Sequence, residues 1–335
     1  MSAPQRRPPA APAKPLRRWT ASIPGLALRA LLVALVAVAL WFFVRGIDLH
    51  ALFAALRAAS IPLLFAAALV NLLHLGFRVL RLRELLRPAR LLGAGKLYRY
   101  SLALCAGNNL LPARAGEAVR IWLLHSRESI AAGTALSVSV VEKICDAVVL
   151  LLLVAPVPFL ILDLPRWVSH SLLTTSVLAV VLVALVAFLL HAHRHFSPQT
   201  LRGRLALGGR ALHSPRAVVV VALQSVAVWL SDAAVFFLIL RAVHVQIPLA
   251  GIFFVLLTLN LAIAAPSTPA QVGAFELGAL AALRLLHVPE EQALAAALLY
   301  HLAQAIPVTL LGLPDLLLIT RARAAARAGS PPAAP

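Results

Sequence analysis

Recurrent apolar runs long enough to cross a lipid bilayer constrain this chain more than any other feature. A hydrocarbon core of roughly 30 Å needs about 20 apolar helical residues. Six segments reach that length, at residues 27–44, 61–80, 131–154, 171–190, 217–240 and 292–313. Among 335 residues they leave no room for a soluble catalytic domain. The composition fits, with 61% hydrophobic and 13% charged residues where soluble domains average about 25% charged. Backbone polar groups in lipid must be satisfied within their own segment, so the expected fold class is an all-α polytopic membrane protein.

The formal net charge is +18, and the excess sits in tails and loops rather than on one folded face. Arg6, Arg7, Lys14, Arg17 and Arg18 precede the first run, and Arg78, Arg81, Arg83, Arg87 and Arg90 close the second. Arg194, Arg202, Arg204, Arg210 and Arg216 fill the loop 191–216, and Arg321, Arg323 and Arg327 follow the last run. The positive-inside rule places every cluster in the cytoplasm, which gives one topology with both termini inside a bacterial inner membrane. The expected organisation is a disordered basic tail (1–22), a transmembrane domain (23–318, with halves at about 61–155 and 216–313) and a second disordered basic tail (319–335). No small-residue cleavage pattern follows the first run convincingly, so the first tail is read as uncleaved.

Several function classes lose support on the same grounds. Nucleic-acid binding wants a basic face and stacking aromatics on a soluble module. Cys105 and Cys145 lie inside apolar stretches and supply neither a disulfide framework nor a thiolate zinc site. There is no Gly-rich Lys-Ser/Thr loop for a nucleotide phosphate, and no cofactor is expected. His191, His193 and His195 sit in a basic loop without acids or thiols and read as solvated, so no metal is expected either.

Two further apolar stretches, 97–124 and 248–286, are broken near their middles by Pro, Gly and polar residues. The topology puts them on opposite membrane sides, as re-entrant helical hairpins forming an inverted repeat. Their sequences echo each other weakly: Asn108, Pro112, Gly116 and Glu117 against Asn260, Pro266, Gly273 and Glu276. Irregular backbone survives at membrane depth only around a cavity, and paired broken segments in opposed halves point to a transport site. Ordinary proline kinks in two full spans are the alternative.

Charged residues inside these segments are the candidates for chemistry. Arg114, Glu117 and Arg120 fall within nine residues of the first break, and each charge near mid-bilayer costs roughly 2.5–3.5 kcal/mol on insertion scales. Glu117 can pair with either arginine, while the other could hold a phosphate through forked hydrogen bonds; interfacial snorkelling is the alternative. Glu142 and Asp146 share a helical face beside Lys143. They suit either a proton-coupled step or structural pairing. In the second stretch Pro266 and Pro269 force unwinding, leaving Ser267, Thr268 and Gln271 to bond freed backbone or to line a polar path, with Glu276 as the acid. Asp232 and His301 are isolated polar residues in the fifth and sixth runs.

At this point the chain resembles the transmembrane, flippase-like domain of lysylphosphatidylglycerol synthases and its stand-alone relatives, over about 61–312. The resemblance is carried by Arg81-Leu-Arg83-Glu84-Leu-Leu, by Asn108-Asn109-Leu-Leu-Pro112-Ala-Arg114-Ala-Gly116-Glu117-Ala-Val-Arg120, by Glu142-Lys143 with Asp146, and by Pro266 to Glu276. Leu82 stands where the family often has Trp, Ala270 where it often has Gly, and His301 where it often has Arg. The resemblance implies translocation of an anionic phospholipid, hopanoid or polyprenyl-phosphate lipid without aminoacyl transfer, together with a possible lipid-biosynthesis partner protein. The residues expected to serve it are Asn108, Asn109, Arg114, Glu117, Arg120, Glu142, Lys143, Asp146, Pro269, Gln271, Glu276 and His301, with Arg114 or Arg120 gripping the head group. No catalytic residue is assigned. A lipid-modifying enzyme using Glu142, Asp146 or Glu276 as general base, or a non-catalytic scaffold, are the alternatives.

Overall fold

The computed structural model describes Val38, Trp41 and residues 48–111, 115–161, 165–192, 214–264 and 268–328. Most of the expected first span (27–44), the first tail, Arg114, Pro266, Ser267, His193 and His195 lie outside the described residues. All secondary structure among the described residues is helical. The helices are α1 (Leu49–Arg57), α2 (Ile61–Leu86), α3 (Ala94–Leu110), α4 (Gly116–Glu128), α5 (Ala132–Val154), α6 (Val157–Leu160), α7 (Arg166–Ala192), α8 (Pro215–Ala242), α9 (Leu249–Ala262), α10 (Ala274–Leu285) and α11 (Glu290–Ala328). A 3₁₀ turn, Pro269–Gln271, stands between α9 and α10.

Local chemistry sets the ends. The Asp48 side chain accepts from the backbone N–H groups of His50 and Ala51, and the Ser214 side chain from that of Ala217. Pro62 and Pro215 occupy first-turn positions, where a missing N–H costs nothing. Pro88 follows the last turn of α2, and Leu111 before Pro112 is extended (φ −102°, ψ 145°), as a residue preceding proline prefers. At the other extremity α11 runs on to Ala328, past the boundary at 318 where a disordered tail was expected. Alanine and arginine are strong helix formers and carry the helix onward.

Among the described residues three helices are long and apolar enough to cross a membrane: α2, α8 and residues Glu290–Ile319 of α11. The expected spans at 131–154 and 171–190 are helical as α5 and α7. Glu142, Lys143 and Asp146 make α5 more charged than a plain span. Large apolar side chains such as Phe65, Leu69, Leu73, Leu223, Phe237, Leu310 and Leu317 are exposed along the long helices. In water such belts would aggregate; in a bilayer they meet acyl chains.

Each broken stretch folds back on itself. Tyr100 bonds Glu128 at one end of the α3–α4 pair, and Gly107 faces Gly116 at the other. In the α9–α10 pair Gly278 packs on the Leu259 backbone while Gly251 meets Leu286. Small residues let helix backbones approach closely where lipid supplies no hydrophobic drive between helices. A Cβ at Gly116 would collide with the Leu104 carbonyl. Gly116→Ala is therefore expected to cost about 1–3 kcal/mol through forced separation of the arms, read as a lower unfolding midpoint of the purified protein. One large apolar cluster draws on α8 to α11 together with α1, α2, α5, α6 and α7, and another draws on α2 to α5 together with α8 and α11.

Candidate functional site

Polar side chains that an all-apolar span would exclude converge from both folded-back pairs and from the three long helices on one cavity of about 650 Å³. That is within the range of small-molecule sites, roughly 300–1,000 Å³. Its walls include Asn71, His74 and Arg78 of α2, Trp229 and Asp232 of α8, and Tyr300, His301 and Gln304 of α11. These positions fall near the middle of helices 26, 28 and 30 residues long within their apolar parts. At 1.5 Å per residue each is about 40 Å long, so the cavity lies deep between their ends.

One end of the cavity is ionic. Arg81 is fully buried, its Nη1 donating to Asp146 Oδ1 at 2.6 Å and to Ser225 Oγ at 3.0 Å. Trp229 Nε1 donates to the Asp146 carbonyl at 2.9 Å and ties α8 to the same turn of α5. Behind the wall, Arg120 Nη2 donates to Glu142 at 2.7 Å, to Ser139 at 2.8 Å and to Glu117 at 3.3 Å. Buried charges survive only when paired in this way. Arg78 and Lys143 differ: both line the cavity, and neither has a hydrogen bond or ion pair among the described residues. Arg78 feels the attraction of Asp146, Glu142 and Glu117 from a distance. At this end four cations (Arg78, Arg81, Arg120, Lys143) face three carboxylates (Glu117, Glu142, Asp146), and Asp232 adds a fourth carboxylate on the cavity wall.

The other end is built around a proline. Pro307 in α11 has no N–H for the carbonyl one turn earlier, that of Ala303. Asn71 Nδ2 donates to that carbonyl and to the Gln304 carbonyl, both at 3.1 Å. Asn109 Nδ2 donates to Thr309 Oγ1 at 2.8 Å. Asp232 Oδ1 accepts from Tyr300 at 2.8 Å and from Gln304 Nε2 at 2.7 Å. The His74 Nδ1–H donates to the Val228 carbonyl at 3.0 Å. Asn71 of α2 thus satisfies the freed carbonyl, and Asn109 of α3 adds a second tie to α11.

At the tip of the second pair, Glu276 Oε2 accepts from the Gly273 N–H at 2.7 Å and its Oε1 lies 2.6 Å from His301 Nδ1. The His301 Nε2 is 2.9 Å from the Ala270 carbonyl. Phe275 stacks on the imidazole with ring centroids 4.3 Å apart.

Of the residues expected from sequence, Asn108, Asn109, Glu117, Lys143, Asp146, Gln271 and His301 line the cavity together. Glu142 and Arg120 are buried behind it as an ion pair. Arg120 therefore does not stand free to grip a ligand, because its guanidinium is committed to two carboxylates and a hydroxyl. Glu276 is bound to His301 and Gly273, away from the cavity lining. Pro269 opens the 3₁₀ turn of the tip. The residues that sequence reasoning missed are Asn71, His74, Arg78, Tyr300 and Gln304. A signal existed, since Asn71, His74, Arg78 and Arg81 recur at spacings of 3, 4 and 3 and so trace one helical face through an apolar run.

Outside the long helices, Glu128 anchors the base of the first pair. Burial pushes its carboxyl upward, but the Tyr100 hydroxyl at 2.7 Å and the Lys96 ammonium outweigh that and hold it below the usual range. A depressed carboxyl stabilises the fold above its unfolded value, about pH 4.3, and that contribution is lost as pH falls through the folded value. Glu128→Gln is expected to remove this acid-sensitive part of stability, seen as flatter unfolding midpoints below about pH 5. Lys96 is half exposed, so the effect at neutral pH stays near 1 kcal/mol or less.

In a comparison with known families, the model for the lysylphosphatidylglycerol synthase TM region aligns with residues 28–312. A comparison with curated proteins returns no match.

Proposed function

Because the chain belongs to the family of the lysylphosphatidylglycerol synthase transmembrane region, a family of membrane proteins tied to lipid metabolism, we propose that it moves an anionic lipid between the leaflets of a bacterial inner membrane. The observation that carries this reading is the mid-helix cavity with two cations on its wall, Arg78 and Lys143, that have no ion pair among the described residues. A lipid phosphate held there offers oxygen acceptors to the Arg78 fork and to the ammonium of Lys143. The acyl chains stay among the apolar side chains outside.

In this reading α3–α4 and α9–α10 are re-entrant hairpins entering from opposite sides, related as an inverted repeat, and α2, α5, α7, α8 and α11 are spans beside the one expected at 27–44. Both termini are cytoplasmic. Alternating exposure comes from one half rocking against the other around the fixed cavity. The lipid leaves chemically unchanged, so the chain is a transporter rather than an enzyme. A lipid-biosynthesis protein would supply or consume the cargo.

The test is leaflet exchange in reconstituted vesicles. A fluorescent phosphatidylglycerol analogue should lose protection from an added membrane-impermeant quencher much faster with the protein than in empty vesicles. A fluorescent neutral diacylglycerol should show no difference caused by the protein. Equal anionic-lipid exchange with and without protein would remove the reading.

A further inference from the structure

The second hairpin tip carries a feature that lipid binding does not require. His301 stands between two oxygens that only accept: the Glu276 carboxylate at 2.6 Å from Nδ1 and the Ala270 carbonyl at 2.9 Å from Nε2. A neutral imidazole has one N–H and cannot donate to both. The arrangement therefore needs one proton more than a neutral His301 and an ionised Glu276 contain, whichever side of the 2.6 Å contact that proton occupies. Glu276 is already an acceptor on its other oxygen, from the Gly273 N–H at 2.7 Å.

The loop held in this way is strained. Ala270 and Gln271 are non-glycine residues in the left-handed region, at φ 50° and 67°, and Gly273 is at φ 90°. Such conformations persist only when surrounding contacts over-determine them. Ala270 and Gln271 also form part of the cavity wall. We propose that His301, Glu276 and the Ala270 carbonyl form a proton-binding site that latches this tip over the cavity, so that loss of the proton releases the wall.

The groups facing His301 leave it as the switching element. From α10 come Glu276 and the stacked Phe275 ring. From the tip comes the Ala270 carbonyl, from α8 comes Asp232 bound through Tyr300 and Gln304, and from α2 come Asn71 and His74 across the cavity. Arg78 and Lys143 lie at the ionic end, each on another helix. Without its proton, His301 turns a lone pair toward an oxygen lone pair. The Ala270 carbonyl then loses its partner, and the left-handed residues are free to relax. The link from this latch to lipid movement rests on the transport reading above; the latch itself does not.

Amide hydrogen exchange of the full chain in nanodiscs, followed on peptides covering 268–277 between about pH 5 and 9, tests the proposal. After correction for intrinsic exchange, wild-type protection of the tip should fall at least tenfold as pH rises. His301→Arg, which keeps a cation able to reach both acceptors, should stay protected throughout, and His301→Gln should be unprotected throughout. Peptides from α2 and α8 report in parallel that each variant is folded. Nitrogen-15 spectra of the wild-type imidazole provide a check that needs no stable variant, and should show the pair protonated at the acid end. A pH-independent wild-type tip, or one pH profile shared with His301→Gln, overturns the latch. A working latch in vesicles without lipid exchange removes the transport reading alone. Exchange alongside a pH-independent tip removes the latch alone.

Discussion

Asp146→Ala should lower the stability of the purified protein by about 3–5 kcal/mol, because it strands a fully buried arginine without its counter-charge. Arg81 Nη1 has Asp146 at 2.6 Å and Ser225 at 3.0 Å, and its Nε and Nη2 have no other partner among the described residues. The expected result is a thermal midpoint at least about 5 °C lower in detergent. The double variant Arg81→Met with Asp146→Leu should recover much of the loss, since it removes the charge together with its partner. A single variant as stable as wild type would mean that the ionic end of the cavity is not held by this pair.

Arg78→Ala should leave the fold intact and reduce anionic-lipid exchange tenfold or more. Arg78 has no ion pair among the described residues, so its removal strands none of their carboxylates. A charge-assisted hydrogen bond contributes about 1.5–3 kcal/mol, and each 1.4 kcal/mol is roughly a factor of ten in affinity. Arg78→Lys keeps the charge but loses the fork, so its exchange should lie between the two. Arg120→Ala should act differently. It breaks the buried contacts with Glu142 and Glu117, so its loss of exchange should come with a loss of stability. If Arg78→Ala exchanges lipid at the wild-type rate, the cation on the cavity wall is not the one that holds the phosphate.

The long helices were legible because their signal is local: runs of apolar residues, proline and serine at the starts, proline after the stops. The interruptions between α3 and α4 and between α9 and α10 were legible for the same reason, and Asn108, Lys143 and Gln271, which line the cavity, stand beside charges or breaks in the chain. What the sequence hid was pairing across helices. Arg120 reads as a free cation beside Glu117 until α5 brings Glu142 to 2.7 Å. Arg78 reads as one more member of a cytoplasmic basic cluster until α5 and α8 enclose it at the cavity. Asn71 has an evident role only once Pro307, far along the chain, leaves the Ala303 carbonyl without a helical donor. Beyond 318, composition points to a disordered tail, while alanine and arginine favour the helix that continues to Ala328.

In the transport reading a lipid phosphate sits in the mid-helix cavity rather than on the protein's outer belt. Photo-crosslinking measures this directly: an anionic lipid carrying a photoreactive group at its head is activated in vesicles containing the protein, and the adducts are mapped by mass spectrometry. The expected adducts fall on the cavity segments around Asn71 to Arg78, Lys143 to Asp146 and Tyr300 to Gln304, and they diminish in Arg78→Ala. Adducts confined to the exposed apolar belt around Phe65, Leu223 and Leu310, and unchanged by Arg78→Ala, would put the phosphate outside the cavity and overturn the transport reading.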